Sequence, residues 1–360
     1  MTSTDPAAPD AAPDTAHAVS PDSGEHWTVE GAWPVAPGVH RIPLPLPMDG
    51  LRAVNVYAIE TDRGLTLVDG GWAIAESRAL LETSLASVGY DVRDITAFLV
   101  THVHRDHYSL AAVLGAEVGA DVTLGLGEKP TLDVMLGGGS LDEMPMLAQL
   151  REAGAGRLAT LFTQSPSSDG RDERSIRLPD SWLDGDVEVR VGERTLDAVH
   201  TPGHTRGHYV FAERAAGLLF AGDHVLPTIT PSIGFEPAAV RQPLRDFMAS
   251  LAKVRALPDM VLLPAHGPVA PSVHARVDEL LEHHEQRLGL CLDALSGGAR
   301  TAYAVAGDLP WTRHEHAFET LDPFNAALAS METKAHLELL VARGQASRTD
   351  GPDGVSFALA

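Results

Sequence analysis

The sequence predicts a mixed α/β fold with a smaller helical module at its C-terminal end, and three observations predict it. Short apolar runs of strand length alternate with amphipathic helical stretches as far as about residue 270. Four of those runs stop just before histidine or aspartate: Ile95–Val100 before His102, Thr195–Val199 before His204, Gly217–Ala221 before Asp223, and Met260–Pro264 before His266. Beyond Pro271 the chain turns to helical spacing and ends in a hairpin pattern.

Taken in order, residues 1–26 are rich in Ala, Pro, Asp, Ser and Thr. They lack the basic and apolar stretches of a secretory leader and read as a disordered tail. Gly38–Leu44 reads as a first, edge strand. Val54–Ile59 and Leu65–Asp69 read as a strand pair about the turn Asp62-Arg63-Gly64. Leu80, Leu81, Leu85 and Val88 lie at helical spacing, and Ile95–Val100 is a buried strand. From 126 to 183 the pattern weakens. Gly137–Ser140 and Ser165–Asp172 read as loops, with a helix between them carrying Met144, Met146, Leu147 and Leu150.

Val187–Val191 and Thr195–Val199 are strands, and Gly217–Ala221 is another. Leu244, Phe247, Leu251 and Val254 mark a helix, followed by the strand Met260–Pro264. Three further helices are expected. The first carries Val277, Leu280, Leu281, Leu288 and Leu292; the second spans Thr301–Ala306; the third carries Leu328, Met331, Ala335, Leu339 and Leu340. The tail Ser347–Leu359, with Asp350-Gly351 and Asp353-Gly354, reads as a β-hairpin. The expected organisation is a main domain over 27–270 and a winged-helix-like module over 271–360.

Composition narrows the function. The chain has 360 residues and is 44% hydrophobic, enough to fill a core. With 27 Lys and Arg against 49 Asp and Glu, its formal net charge is −22. Such a surface repels phosphate backbones and anionic lipids, so neither nucleic acid nor membrane is an expected partner. A single cysteine, Cys291, excludes a disulfide framework and a thiolate zinc site, and fits a cytoplasmic setting. No apolar run reaches the roughly 18 residues of a membrane span.

The densest chemical signal is His102-x-His104-x-Asp106-His107. Imidazole and carboxylate together suit a borderline cation such as Zn²⁺. In an extended segment His102 and His104 share a face. Asp106 and His107 follow where the chain can turn and present a second set of donors.

This motif, with Asp69 before it and Thr201-Pro202-Gly203-His204, Gly222-Asp223 and Ala265-His266-Gly267 after it, resembles the metallo-β-lactamase superfamily over Asp69 to His266. The resemblance implies an αβ/βα sandwich and a two-metal hydrolase. His102, His104 and His204 would bind one cation, and Asp106, His107 and His266 the other. Asp223 would bridge them, while Asp69 and His208 would orient the ligands. It implies two divalent ions, zinc first and Fe²⁺ or Mn²⁺ as alternatives. Together the ions would lower the pKa of a shared water, with Asp106 and Asp223 acting catalytically to hold that water and pass on its proton. The expected substrate is a small molecule, a thioester or lactone. A phosphodiesterase or ribonuclease, and a non-catalytic winged-helix regulator, are the alternatives; a homodimer is left open.

Several features are set aside. Ser250-Leu251-Ala252-Lys253 matches a serine-hydrolase pattern but falls on a helix without its partner motifs. Cys291, among leucines, reads as a buried thiol. His283 and His284 are expected to be solvated, His314 and His316 to lie in a loop, and His200 and His224 to bind no metal.

Overall fold

The computed structural model describes residues 26–46, 50–137, 145–164, 175–311, 317–352 and 354–360. The expected tail, most of both weak loops, and His314 and His316 lie outside them.

A seven-stranded sheet runs in sequence order: β1 (Trp33–Ala36), β2 (Val39–Pro45), β3 (Ala53–Thr61), β4 (Gly64–Val68), β5 (Ile95–Leu99), β6 (Asp121–Gly125) and β7 (Ser181–Leu183). The first four strands are antiparallel, and β4 to β7 pair in parallel. The strand read as the edge is therefore second in the sheet. Trp33–Ala36 covers it, too short and proline-interrupted to register as a strand. Helices α1 (Ala75–Ser87) and α2 (Arg105–Val118) supply the crossovers that parallel pairing needs. Helices α3 (Lys129–Leu136), α4 (Pro145–Glu152) and α5 (Gly156–Gln164) follow β6.

The second sheet has the order β12-β11-β10-β9-β8, from β8 (Val187–Val191), β9 (Arg194–His200), β10 (Tyr209–Glu213), β11 (Leu218–Gly222) and β12 (Val261–Pro264). Side-chain alternation divides β10 between two layers. Tyr209 and Phe211 enter the core between the sheets, while Val210 and Ala212 face helix α6 (Pro243–Arg255) and the C-terminal helices. All five β10 residues are buried, as a strand covered on both faces must be. On the far side of the first sheet, Leu81 and Leu85 of α1 and Tyr108 and Leu110 of α2 pack on Val54, Val56 and Leu67. The layers are αβ/βα.

The C-terminal segment runs α7 (Val273–Leu295), β13 (Arg300–Thr301), α8 (Ala302–Ala306), α9 (Pro323–Ala342), β14 (Ala346–Gly351) and β15 (Gly354–Leu359). The hairpin expected in the tail is there, with β13 added as a third strand. Its helices share one continuous core with α4, α5, α6 and the second sheet.

The expectation that the His283–His284 pair is solvated is corrected on this face. His284 is fully buried. It falls four residues after Leu280 and four before Leu288, on the same buried stripe of α7. His336 of α9 donates from Nδ1 to the Glu332 carbonyl at 2.8 Å, so its Nε2 accepts from His284 Nδ1 at 3.2 Å. Burial holds His336 down at about 3 and His284 well below the ordinary histidine range.

A pH dependence follows. Both rings stay neutral in the fold and ionise near 6.5 once unfolded, so their stabilisation is complete above that pH and is lost below it. At pH 5 the loss is about 2 kcal/mol for each ring that remains neutral. The melting temperature should fall from pH 7 to pH 5, and less steeply in His336→Leu. Equal slopes in the two proteins would contradict this account.

Candidate metal centre

Four strand ends converge on one rim of the sandwich. At the end of β5 the chain leaves the sheet at Thr101, and His104 caps the start of α2, so Asp106 and His107 fall in that helix's first turn. His204 lies beyond β9, Asp223 directly after β11, and His266 just past β12.

The donors form two groups. His102 Nε2 lies 2.9 Å from His104 Nδ1, and His204 Nε2 lies 3.0 Å from that same atom. Asp223 Oδ2 completes the first group, 3.4 Å from His204 Nε2 and 4.0 Å from His102 Nε2. In the second group, Asp106 Oδ2 lies 3.6 Å from His107 Nε2 and 3.4 Å from His266 Nε2. Asp223 Oδ1 faces those nitrogens at 3.6 and 3.3 Å. The two oxygens of Asp223 thus point to different groups.

A divalent cation fits both places. A tetrahedron with bonds of about 2.0–2.1 Å has edges of roughly 3.3–3.4 Å, close to these separations. His107 Nε2, His266 Nε2 and Asp223 Oδ1 are buried without a hydrogen-bond partner. Three imidazole nitrogens also crowd one point in the first group, where a shared proton can link two of them but not three.

The other ring nitrogens explain the orientation. His204 Nδ1 donates to the Ser232 carbonyl and His266 Nδ1 to the Ala53 carbonyl, each at 2.8 Å. Their Nε2 atoms are left turned inward, as metal-binding imidazoles require. Asp69 serves both groups. Its carboxylate accepts from the Thr101 N–H at 2.8 Å and hydroxyl at 3.0 Å, and from His107 Nδ1 at 2.9 Å. Thr101 Oγ1 in turn lies 3.0 Å from His102 Nδ1. Asp69 adopts a φ of 61°, a left-handed conformation uncommon outside glycine. His208 is fully buried; its Nδ1 meets Thr201 Oγ1 at 2.9 Å and its Nε2 accepts the Asp223 backbone N–H at 3.1 Å.

Electrostatics separate the two groups. Burial and the neighbouring histidines push His104 down to about 3 and His102 well below the ordinary range; burial pushes His204 down to about 4. These rings keep free lone pairs. Burial also opposes charge on His107 and His266, but nearby carboxylates outweigh it. Asp106, Asp69 and Asp223 push His107 up to about 10, and Asp223 and Asp106 raise His266. Burial works against the Asp106 carboxylate, yet His107 and His266 hold it below the usual range. Protons thus compete with a cation for the second group more than for the first.

All seven expected donors, with Asp69 and His208, stand in this one cluster. His200 and His224 lie outside both donor groups. His200 Nε2 meets the Arg206 carbonyl at 3.0 Å, and His224 packs against the rings of His208 and Phe247.

Sequence reading did not single out the scaffold of the His266 loop. Asn55, buried in β3, donates from Nδ2 to the carbonyls of Pro264 and Gly267, each at 2.9 Å. Arg41 Nη1 donates to Asn55 Oδ1 at 2.8 Å, and Tyr57 Oη donates to the Pro264 carbonyl at 2.8 Å. A polar residue between Val54 and Val56 in an apolar strand was the available signal.

The family model described as "Metallo-beta-lactamase superfamily" matches residues 49–266. A Caenorhabditis elegans protein named beta-lactamase-like protein 2 homolog is 36% identical over 238 residues, 66% of this chain and 63% of its own length. An Aspergillus fumigatus protein named atrochrysone carboxyl ACP thioesterase is 27% identical over 241 residues, 67% of this chain and 44% of its own length. The crystal structure of a metallo-beta-lactamase family protein from Thermus thermophilus aligns with a TM-score of 0.75 at 27% identity, covering 91% of this chain and 100% of that one. Convergent strand ends, paired donor groups and a family match across the span that carries them agree: the chain belongs to the metallo-β-lactamase superfamily.

Proposed function

We propose that this protein hydrolyses a small thioester, or a kindred lactone, at a pair of divalent cations, with zinc the first choice. The observation that carries the reading is the division of Asp223, one oxygen toward each donor group. His102, His104 and His204 would hold one ion, and Asp106, His107 and His266 the other, with Asp223 shared. Bound there, the pair would supply Lewis acidity, making water more acidic and polarising the substrate carbonyl.

The chain's own residues do the rest. Asp69, through Thr101 and directly, orients His102 and His107. Asp106 and Asp223 hold the attacking water, and one of them carries its proton to the leaving thiol. Water adds to the acyl carbon, the C–S bond breaks, and a carboxylic acid and a thiol are released.

Thioester chemistry is favoured by the ACP-thioesterase name of one relative, and the net charge of −22 disfavours a nucleic-acid substrate. Among the described residues no helix is long and apolar enough to cross a membrane. We read 27–270 as the hydrolase domain and 271–360 as a winged-helix-like unit, supported by its helix–strand–helix–helix–strand–strand order. This unit helps shape the site, since Arg276 of α7 donates to the carbonyls of Leu226 and Ile229, just beyond Asp223.

The test is a panel of acyl-CoA and acyl-pantetheine thioesters, lactones and bis-p-nitrophenyl phosphate, with and without chelator. Thioester or lactone turnover abolished by chelation and restored by Zn²⁺ is expected. Preference for the phosphodiester would overturn the substrate class. Full activity after metal removal would overturn the mechanism. DNA binding without metal-dependent turnover would favour a regulator.

A further inference from the structure

We propose that Glu128 is a positioning residue for the first donor group, a single buried carboxyl that locks the loop of His102 and His104 to the loop of His204. The inference rests on the metal-centre reading above and adds to it a residue remote in sequence from every ligand.

Glu128 closes a short turn after β6 and is fully buried. Its Oε1 accepts the Thr205 hydroxyl, one residue after His204. The backbone N–H of Val103, which stands between His102 and His104, faces the same carboxyl and favours its charged form. One side chain therefore touches both loops that deliver the three imidazoles of the group.

Close backbone contact brings it there. A Cβ on Gly125 would sit 2.0 Å from the Gly207 carbonyl oxygen, and one on Gly207 would sit 2.3 Å from the Glu128 nitrogen. Only glycine at both positions lets the turn press against the 205–207 loop. On the far side, Arg206 Nε donates to the buried Glu236 at 3.3 Å, and Arg206 Nη2 donates to the Ala239 carbonyl at 2.7 Å. The His204 loop is thus gripped from two directions, while its ring meets the Ser232 carbonyl.

Burial and the nearby Glu236 push Glu128 up to about 8, so its carboxyl is neutral at neutral pH. Glutamine has the same shape and also accepts hydrogen bonds. It should therefore replace Glu128, whereas alanine should not.

The experiment titrates metal-free full-length protein with Co²⁺, read by calorimetry and by the visible d–d absorption. Wild type is expected to take up two ions per chain. In a His266→Ala background, which disables the second group, Glu128→Ala should weaken the remaining ion about 10- to 100-fold, the range for loss of an orienting partner behind a ligand. In a His102→Ala background the same change should alter the remaining affinity less than about 2-fold, since Glu128 does not touch the second group. Glu128→Gln should restore the wild-type titration and spectrum, and Thr205→Val should weaken the first-group ion in the same direction as Glu128→Ala.

Equal weakening in both backgrounds, or Glu128→Gln as weak as Glu128→Ala, overturns the proposal. Should Glu128→Ala fail to fold, Thr205→Val with wild-type affinity overturns it equally. Wild type that takes up no Co²⁺ removes the proposed centre, and the proposal with it.

Discussion

Asp223→Ala is expected to lower turnover more than about 100-fold and to reduce the metal content of the purified protein. Loss of a partner behind a ligand typically costs about 10- to 100-fold, so loss of a ligand shared by two ions should exceed that range. Asp223 is the side chain with an oxygen directed at each donor group, and it reaches His204 and His266 at 3.4 and 3.3 Å. Without it the first group keeps only imidazoles and the second loses one of its two carboxylates. The fold should persist, because the contact with His208 uses the backbone N–H of residue 223, which alanine retains. Elemental analysis and steady-state kinetics on one preparation decide the matter. A variant that keeps two ions, or turns over within about tenfold of wild type, would exclude the bridging role.

Asn55→Ala should destabilise the protein by about 3–5 kcal/mol, although Asn55 is not among the metal donors. The substitution removes three buried hydrogen bonds at once: one leaves its acceptor stranded at about 1–3 kcal/mol, one costs about 1 kcal/mol, and the one to a charged group costs more. The Gly267 carbonyl loses its donor, while the Pro264 carbonyl keeps Tyr57 Oη. The Arg41 guanidinium, whose Nε and Nη2 already lack partners, loses the Asn55 acceptor and keeps the Trp27 carbonyl. Burial already lowers the Arg41 pKa, a sign of how costly its charge is there. Because both carbonyls that lose Asn55 flank His266, weaker metal binding at the second group should accompany the lower stability. Urea unfolding of the metal-free protein measures the first effect. A change below about 1 kcal/mol would mean that Arg41 and the loop find new partners at little cost.

The metal chemistry was legible along the chain because ligand identity is local. His102, His104, Asp106 and His107 stand within six positions, and the remaining donors follow apolar runs that end as strands end. Strand periodicity located β2, β3, β4, β5, β8, β9, β11 and β12, and with them the rim where side chains meet. Strands β1, β6, β7, β10 and β13 were passed over, β1 and β10 for different reasons. One is too short to show a period, and the other is apolar on both faces.

What only the tertiary structure decided is which further, remote residues brace the donor loops. Asn55 lies 209 residues before the carbonyl of Pro264, and Glu128 lies 77 residues before Thr205. Sequence periodicity reports which face of an element is apolar and carries no information about which distant backbone group a buried polar side chain will meet. The burial of His284 was decided in the same way, by packing against His336 of another helix. The residue types set the available chemistry; closure of the sandwich gave it a geometry, because burial leaves each polar atom only the partners that the fold brings within reach.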